Sequence, residues 1–168
     1  KFIRNEILVV LALASSLISS PTFAVDRGTG PASGGTTITI EGLHFTQVSV
    51  GETFAMGLTN LGTVYTWGDN SFGELGNGTL NGSLTPVQVL TATDTPLDNI
   101  SEIAAGASFG LARTSTGSVY SWGSNVTGQL GINSLVNSSY AVHVQGVAGS
   151  GFLSGITALE ANGSSAYA

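Results

Sequence analysis

The sequence predicts an all-β chain assembled from tandem sheet units, and three observations predict it. The stretch FTQVSVGETFAMGLTNLGTVYTWGDNSFGELGNG, from Phe45, lies over ISEIAAGASFGLARTSTGSVYSWGSNVTGQLGIN, from Ile100, at a constant shift and without a gap. Charged residues make up only 8% of the chain and glycines number 24, so the polar surface must be built from Ser, Thr, Asn and Gln, a turn-rich β composition. No stretch shows the period of about 3.6 residues that marks a long amphipathic helix.

The elements come in order. Residues 1–24 open with Lys1 and Arg4, continue through the apolar run Ile7 to Ile18, and end on small residues with Thr22 and Ala24 at the minus-three and minus-one positions of a cut after Ala24. This is the layout of a secretory signal peptide, expected as a helix, and its run of about twelve residues falls short of the roughly twenty a membrane-spanning helix needs. An extracellular or cell-surface location is expected, with no membrane span once the signal is removed. Residues 25–44 are expected to form a linker or a single strand, residues 45–99 a first repeat and residues 100–155 a second. A third copy, ITALEANGSSAYA, begins at Ile156 and fills residues 156–168. The chain begins at Lys1 and stops inside the repeating pattern, so it is expected to be a fragment of a longer protein.

Within each repeat an apolar run, a tight turn (TNLG or TSTG) and the strand TVYTWG or SVYSWG predict a hairpin. Period-two alternation then points Tyr65 and Trp67, or Tyr120 and Trp122, to one face, and Val64 or Val119 to the other. Gly51, Gly62, Gly68 and Gly76 recur as Gly106, Gly117, Gly123 and Gly131, and Leu75 recurs as Leu130. These glycines are expected where a side chain would obstruct a turn or a close backbone approach. Several short strands per unit of about fifty residues, in tandem, predict blades of a radial β-propeller, each burying its faces against its neighbours. The fold class is therefore all-β: about two blades and the start of a third, following an N-terminal signal helix. Open blade edges and an unburied face in such a piece are expected to give marginal stability or association.

The set G-x(10)-G-x-V-Y-x-W-G-x-N-x-x-G-x-L-G, complete at Gly51–Gly76 and at Gly106–Gly131, resembles the repeat of the regulator of chromosome condensation family. That resemblance covers the chain from about Phe45 onward and implies a seven-bladed propeller. Two departures stand out. Phe54 and Phe109 occupy the position where the family usually has a histidine, and the proline kept as Pro86 becomes Ala141 in the second copy. Upstream, GPASGGTTITIEGLHF, from Gly30 to Phe45, resembles the opening of the immunoglobulin-like (IPT/TIG) domains shared by plexins and transcription factors, and is too short for a whole domain.

Other signals resolve against chemistry. GASFG, at Gly106–Gly110, fits the G-x-S-x-G pattern of a serine nucleophile, but Ser108 matches Thr53 and Ser164 in the other copies, a position expected inside a strand with no helix after it. The absence of cysteine excludes disulfides, thiolate nucleophiles and cysteine metal sites. His44 is a lone histidine, and His143 matches Gln88 of the first copy, as an ordinary strand polar residue would. DNSFGELGNG, from Asp69, lacks the spacing of a calcium loop and reads as turn chemistry. The net charge of -6, with four basic residues in all, lacks the electrostatic footprint of nucleic-acid binding. Glycosylation triplets begin at Asn77, Asn81, Asn99, Asn125, Asn137 and Asn162. No cofactor, metal ligand or catalytic residue is assigned.

Leu80–Asn99 and Ser134–Gly155 differ most between copies, and varied loops on a rigid repeated scaffold are where binding is expected. Asp94, Asp98 and Tyr140 are the contact candidates. The expected function is an exported, non-enzymatic propeller that binds a protein or surface ligand through its loops. The resemblance implies that inhibition of an enzyme by covering its active site is one form this could take. Guanine-nucleotide exchange on a small GTPase is the alternative the resemblance also implies, and a secreted hydrolase comes third.

Overall fold

A computed structural model of the chain describes residues 7–10, 22–27, 36–39 and 43–168, which divide into two compact units, Lys1–Phe45 and Thr46–Ala168. In the first unit β1 (Ile7–Val10), β2 (Thr22–Arg27) and β3 (Thr36–Thr39) form one antiparallel sheet in that order, with Ile7 opposite Arg27 and Thr22 opposite Thr39. The expected signal helix is thereby corrected where the segment is described: Ile-Leu-Val-Val is rich in β-branched residues and finds its backbone partners in β2. Residues 1–6 and 11–21 of the signal segment, and residues 28–35 and 40–42 of the upstream segment, lie outside the described residues. No helix among the described residues is long and apolar enough to cross a membrane.

The second unit begins with two four-stranded antiparallel sheets of the same layout. In the first, β4 (Phe45–Val50), β5 (Phe54–Thr59), β6 (Val64–Gly68) and β7 (Ser83–Gln88) lie side by side in order. β8 (Ile100–Ala105), β9 (Phe109–Thr114), β10 (Val119–Gly123) and β11 (Ser138–His143) repeat it. A hairpin of β12 (Glu160–Asn162) and β13 (Ser165–Tyr167) comes last, with Glu160 opposite Tyr167.

The repeat glycines explain the strand ends. Gly68 and Gly123 close β6 and β10 with φ of 118° and 100°, and a Cβ on either would lie 2.6 Å from the carbonyl oxygen of Thr53 or Ser108. Those carbonyls instead accept from the backbone N–H of Asp69 at 2.9 Å and Ser124 at 2.8 Å, which turns the chain out of the sheet. Ser108 therefore sits in a bend between β8 and β9 and not inside a strand, as the repeat alignment alone suggested; Gly106 N–H bonds the Phe109 carbonyl at 2.9 Å and ends β8 before Ser108 is reached. The chain runs from Ser108 straight into β9, so the strand-to-helix turn of a nucleophile is missing.

The core lies between the sheets. Met56, Leu58, Val64 and Leu75 of the first pack with Ile103, Ala112, Trp122 and Ala141 of the second, and Tyr120 lies against them. The alternation read in the sequence appears directly: the valine face of β6 meets the Tyr-Trp face of β10. One step on, Phe109, Leu111 and Leu130 pack against Leu159 and Ala161 of the third copy. Backbone contacts march from copy to copy, Glu52 N–H to the Ala107 carbonyl at 2.8 Å and Ala107 N–H to the Gly163 carbonyl at 2.7 Å. The amide of Gln47 on β4 adds a two-way bond to Ile103 on β8, donating at 2.8 Å and accepting at 3.0 Å.

The Ala141 departure has a physical reason. Its N–H donates to the Leu90 carbonyl at 2.9 Å and its side chain is buried, so proline there would remove an inter-sheet bond.

Candidate functional site

The long loop between the third and fourth strand of each sheet is held from inside by one asparagine. Asn70, fully buried, accepts from Leu75 N–H at 2.8 Å and donates its amide to the carbonyls of Thr79 and Asn81, both at 3.0 Å. Asn125 does the same, accepting from Leu130 N–H at 2.9 Å and donating to Ser134 at 2.8 Å and Val136 at 3.0 Å. On the strand behind, the hydroxyls of Thr66 and Ser121 donate to the Leu75 and Leu130 carbonyls at 2.7 and 2.8 Å. Every one of these bonds recurs at the matched position of the other copy, so each loop is clamped while its tip stays in water. Asn125, being buried, is closed to glycosylation.

The tips carry leucines. Leu80 is 63% exposed and Leu135 is 66% exposed, and they too occupy matched positions of the two copies. Phe72, 45% exposed, lies on the same first-sheet loop. The loop's neighbouring backbone is bound to the second sheet, Gly78 N–H to the Ser139 carbonyl at 2.9 Å. Sequence reasoning passed over these leucines, although their register within otherwise dissimilar loops was the available signal.

The three predicted contact residues divide differently. Tyr140 donates its hydroxyl to Asp94 at 2.7 Å, fastening the 91–96 loop of the first sheet to β11, and the carboxylate pushes the phenol above its ordinary pKa. Asp98 is not part of that pair; it is exposed and accepts from Asn99 at 2.7 Å.

Glu74 is buried beside the first loop. One carboxylate oxygen accepts from Phe72 N–H at 2.8 Å and the other has no partner. Burial pushes its pKa above the ordinary glutamate value, backbone N–H bonds pull against that, and Asp69 adds a further push upward. The matching residue is Gln129, whose oxygen accepts from Thr127 N–H at 2.9 Å. Because the unfolded chain loses this proton first, the cost of Glu74 is absent below the ordinary glutamate range and grows as pH rises toward the folded value. Glu74→Gln is therefore expected to stabilise the chain by about 1 to 2 kcal/mol at neutral pH and by little near pH 4, read from urea midpoints.

His143 lies between the rings of Tyr120 and Phe152, with centroids at 4.1 and 4.5 Å, and its Nδ1 is buried without a partner. Burial lowers its pKa. The unfolded chain then takes up the proton first, so stability is full above the ordinary histidine value and falls as pH drops through it toward the folded value. His143→Gln, the residue of the first copy, is expected to remove that acid-side loss of stability, read from urea midpoints on either side of the ordinary histidine value.

His44 is exposed, and no cluster of three metal-ligating side chains exists among the described residues. One ion pair, Arg113 to Glu102 at 2.8 Å, occurs among them.

Two stacked sheets, a third begun in the same manner, and inter-sheet tryptophan packing define a repeat-built β-propeller class. The chain belongs to the regulator of chromosome condensation (RCC1) repeat family, whose repeat matches residues 62–113 and 116–154, and a second description of that repeat matches residues 45–74 and 100–129. It is 38% identical over 102 residues to the mitochondrial RCC1 domain-containing protein RUG3 of Arabidopsis thaliana, covering 61% of this chain and 22% of that one. It is 34% identical over 100 residues to human HERC3, a probable E3 ubiquitin-protein ligase, covering 59% and 9%. The chain thus spans under a quarter of these relatives. Among solved structures, human WBSCR16 aligns with a TM-score of 0.60 at 23% identity, over 77% of this chain and 32% of that one. Prp20p from Saccharomyces cerevisiae, a structure described with its binding to Gsp1p and histones, aligns with a TM-score of 0.59 at 16% identity, over 85% and 38%. These structural likenesses show the propeller fold.

Proposed function

We propose that this chain is a protein-binding scaffold, and that it binds through the clamped loops between the third and fourth strands. The observation that carries this is the pair Leu80 and Leu135, exposed apolar tips repeated in register on loops fixed by buried Asn70 and Asn125. A rigid loop loses little entropy on binding, and an exposed leucine is an anchor only where its backbone is held. Charge gives the partner its sign: residues 43–168 hold seven acids and one base, Arg113, which is paired with Glu102. A partner with a basic rim around an apolar pocket is the best fit. Binding of histones is described for Prp20p, in keeping with a basic partner, though likeness at 16% identity is a likeness of fold.

The test places a photo-crosslinking amino acid at position 135 of the full chain in its native host and identifies the adducts. A specific adduct that disappears in Leu80→Asp, while the melting temperature stays unchanged, supports the reading. Adducts unaffected by Leu80→Asp overturn it.

The scaffold reading includes no catalytic role, and it includes export, supported by the charge, apolar and small-residue order of residues 1–24. A signal is read before folding, so export is tested on the product: a secreted form beginning at Val25 is expected by N-terminal sequencing.

A further inference from the structure

We infer that buried Glu74 carries a proton which it donates to Asp69, and that loss of this proton releases Phe72 on the first loop while the matched turn of the second loop stays fixed. The two copies show what is missing. In the second, the Gln129 side chain is bonded at both ends: its oxygen accepts from Thr127 N–H at 2.9 Å, and its nitrogen donates to the Ser124 hydroxyl at 3.5 Å. In the first, the matched residues are Glu74, Phe72 and Asp69. One Glu74 oxygen repeats the first bond, accepting from Phe72 N–H at 2.8 Å. The second bond cannot repeat between two carboxylates, because neither has a hydrogen to give. The Glu74 oxygen that takes the place of the Gln129 nitrogen is the one left buried without a partner.

Nothing else among the described residues supplies the hydrogen. In residues 43–168 the one base is Arg113, which is paired with Glu102. The Ser71 hydroxyl already donates to Asp69 at 3.0 Å. The second sheet brings only uncharged groups to this turn, the Trp122 indole on the Glu74 carbonyl and the Ser138 and Ser139 backbone against Gly73. The unpartnered oxygen is closed to solvent, so neither water nor a hydrated cation reaches it, whereas a proton on the carboxyl itself needs no path. Of the two carboxyls the proton belongs on Glu74, since a charge costs more on the buried group than on exposed Asp69. Burial first, and the Asp69 charge after it, push the Glu74 carboxyl above its ordinary value, while backbone N–H bonds pull it down.

Deprotonation sets two negative charges against each other with one of them buried, and Glu74 escapes by swinging out toward water. Phe72 N–H then loses its acceptor, and the Phe72 ring loses its fixed position. Asn70 still holds Leu75, Thr79 and Asn81, so the change is confined to Phe72 and the Leu80 tip stays clamped. The consequence for recognition rests on the loop-binding reading: the first loop presents Phe72 rigidly in acid and loosely as pH rises. The second loop, with Gln129 and Ser124 in those places, has no such dependence.

The test needs no partner, so it stands or falls apart from the binding reading. Amide exchange at Phe72 and Thr127 is followed by NMR on the full chain from about pH 4 to about pH 8, corrected for the intrinsic pH dependence of exchange. Exchange at Phe72 is expected to rise by more than about tenfold through the Glu74 midpoint, while Thr127 stays level. Glu74→Gln, which installs the residue of the second copy, is expected to abolish the step at Phe72. Asp69→Ser is expected to move its midpoint down toward the ordinary glutamate value, because the acceptor of the proton and its charge are both gone. A step shared by Phe72 and Thr127, a step that survives Glu74→Gln, a midpoint unmoved by Asp69→Ser, or no step across the range overturns the inference.

Discussion

Trp122→Ala is expected to cost about 3 to 5 kcal/mol of stability, the usual range for removing a fully buried tryptophan. Trp122 is fully buried at the centre of the contact between the two sheets, so the cavity left behind has walls on both. Relaxation into it is limited by backbone: a Cβ on Gly110 would come 2.6 Å from the indole, and one on Gly76 would come 2.8 Å from it, so main chain already touches the ring. The variant also strips the Glu74 carbonyl of its donor. Trp122→Phe separates the two contributions, since it keeps an aromatic ring but not the N–H, and about 1 to 2 kcal/mol is expected for the orphaned carbonyl. Urea unfolding monitored by far-ultraviolet circular dichroism gives the totals. Amide exchange adds a sharper readout. If Trp122 couples the sheets, protection in β5 and β9 falls together, whereas a loss confined to β9 and β10 would show that the sheets are held by other contacts.

How much of this was legible in the sequence depends on whether a constraint was written twice. Trp67 and Trp122, Leu75 and Leu130, and the glycines closing β6 and β10 were legible because each copy must meet the same backbone demand at the same place. Asn70 and Asn125 also recur, but an asparagine two residues after a glycine reads as surface turn chemistry, and only burial shows that it is an internal clamp. The Tyr140–Asp94 bond joins residues whose counterparts in the other copy are Thr85 and Gly149, so no periodicity pointed to it. Leu80 and Leu135 were in register, yet one leucine in a polar loop has no pattern of its own. Ser108 was misplaced because the alignment preserved residue types while the end of β8 was decided by the bond between Gly106 and Phe109. In the first unit, Ile7–Val10 satisfied two patterns, an apolar signal run and a β-branched strand, and in the full chain the segment pairs with β2.

Asn125→Ala is expected to cost about 2 to 4 kcal/mol, because it leaves the buried Leu130 N–H and the Ser134 and Val136 carbonyls without their partner while opening a small void. A structural loss of that size could come from any buried polar residue, so the more telling change is Asn125→Asp. Aspartate keeps the oxygen that accepts from Leu130 N–H, but turns its second oxygen toward two carbonyls where the amide donated. The buried carboxylate then prefers its proton, its folded pKa rises above the unfolded one, and its cost grows as pH rises through that interval. Protonated, it regains a donor for one of the two carbonyls. The expected result is a variant close to wild type at about pH 4 and worse than Asn125→Ala at about pH 8, measured by urea midpoints across the range. A cost independent of pH would mean that the loop tips rearrange when the amide is lost, and the rigid presentation of Leu135 would go with it.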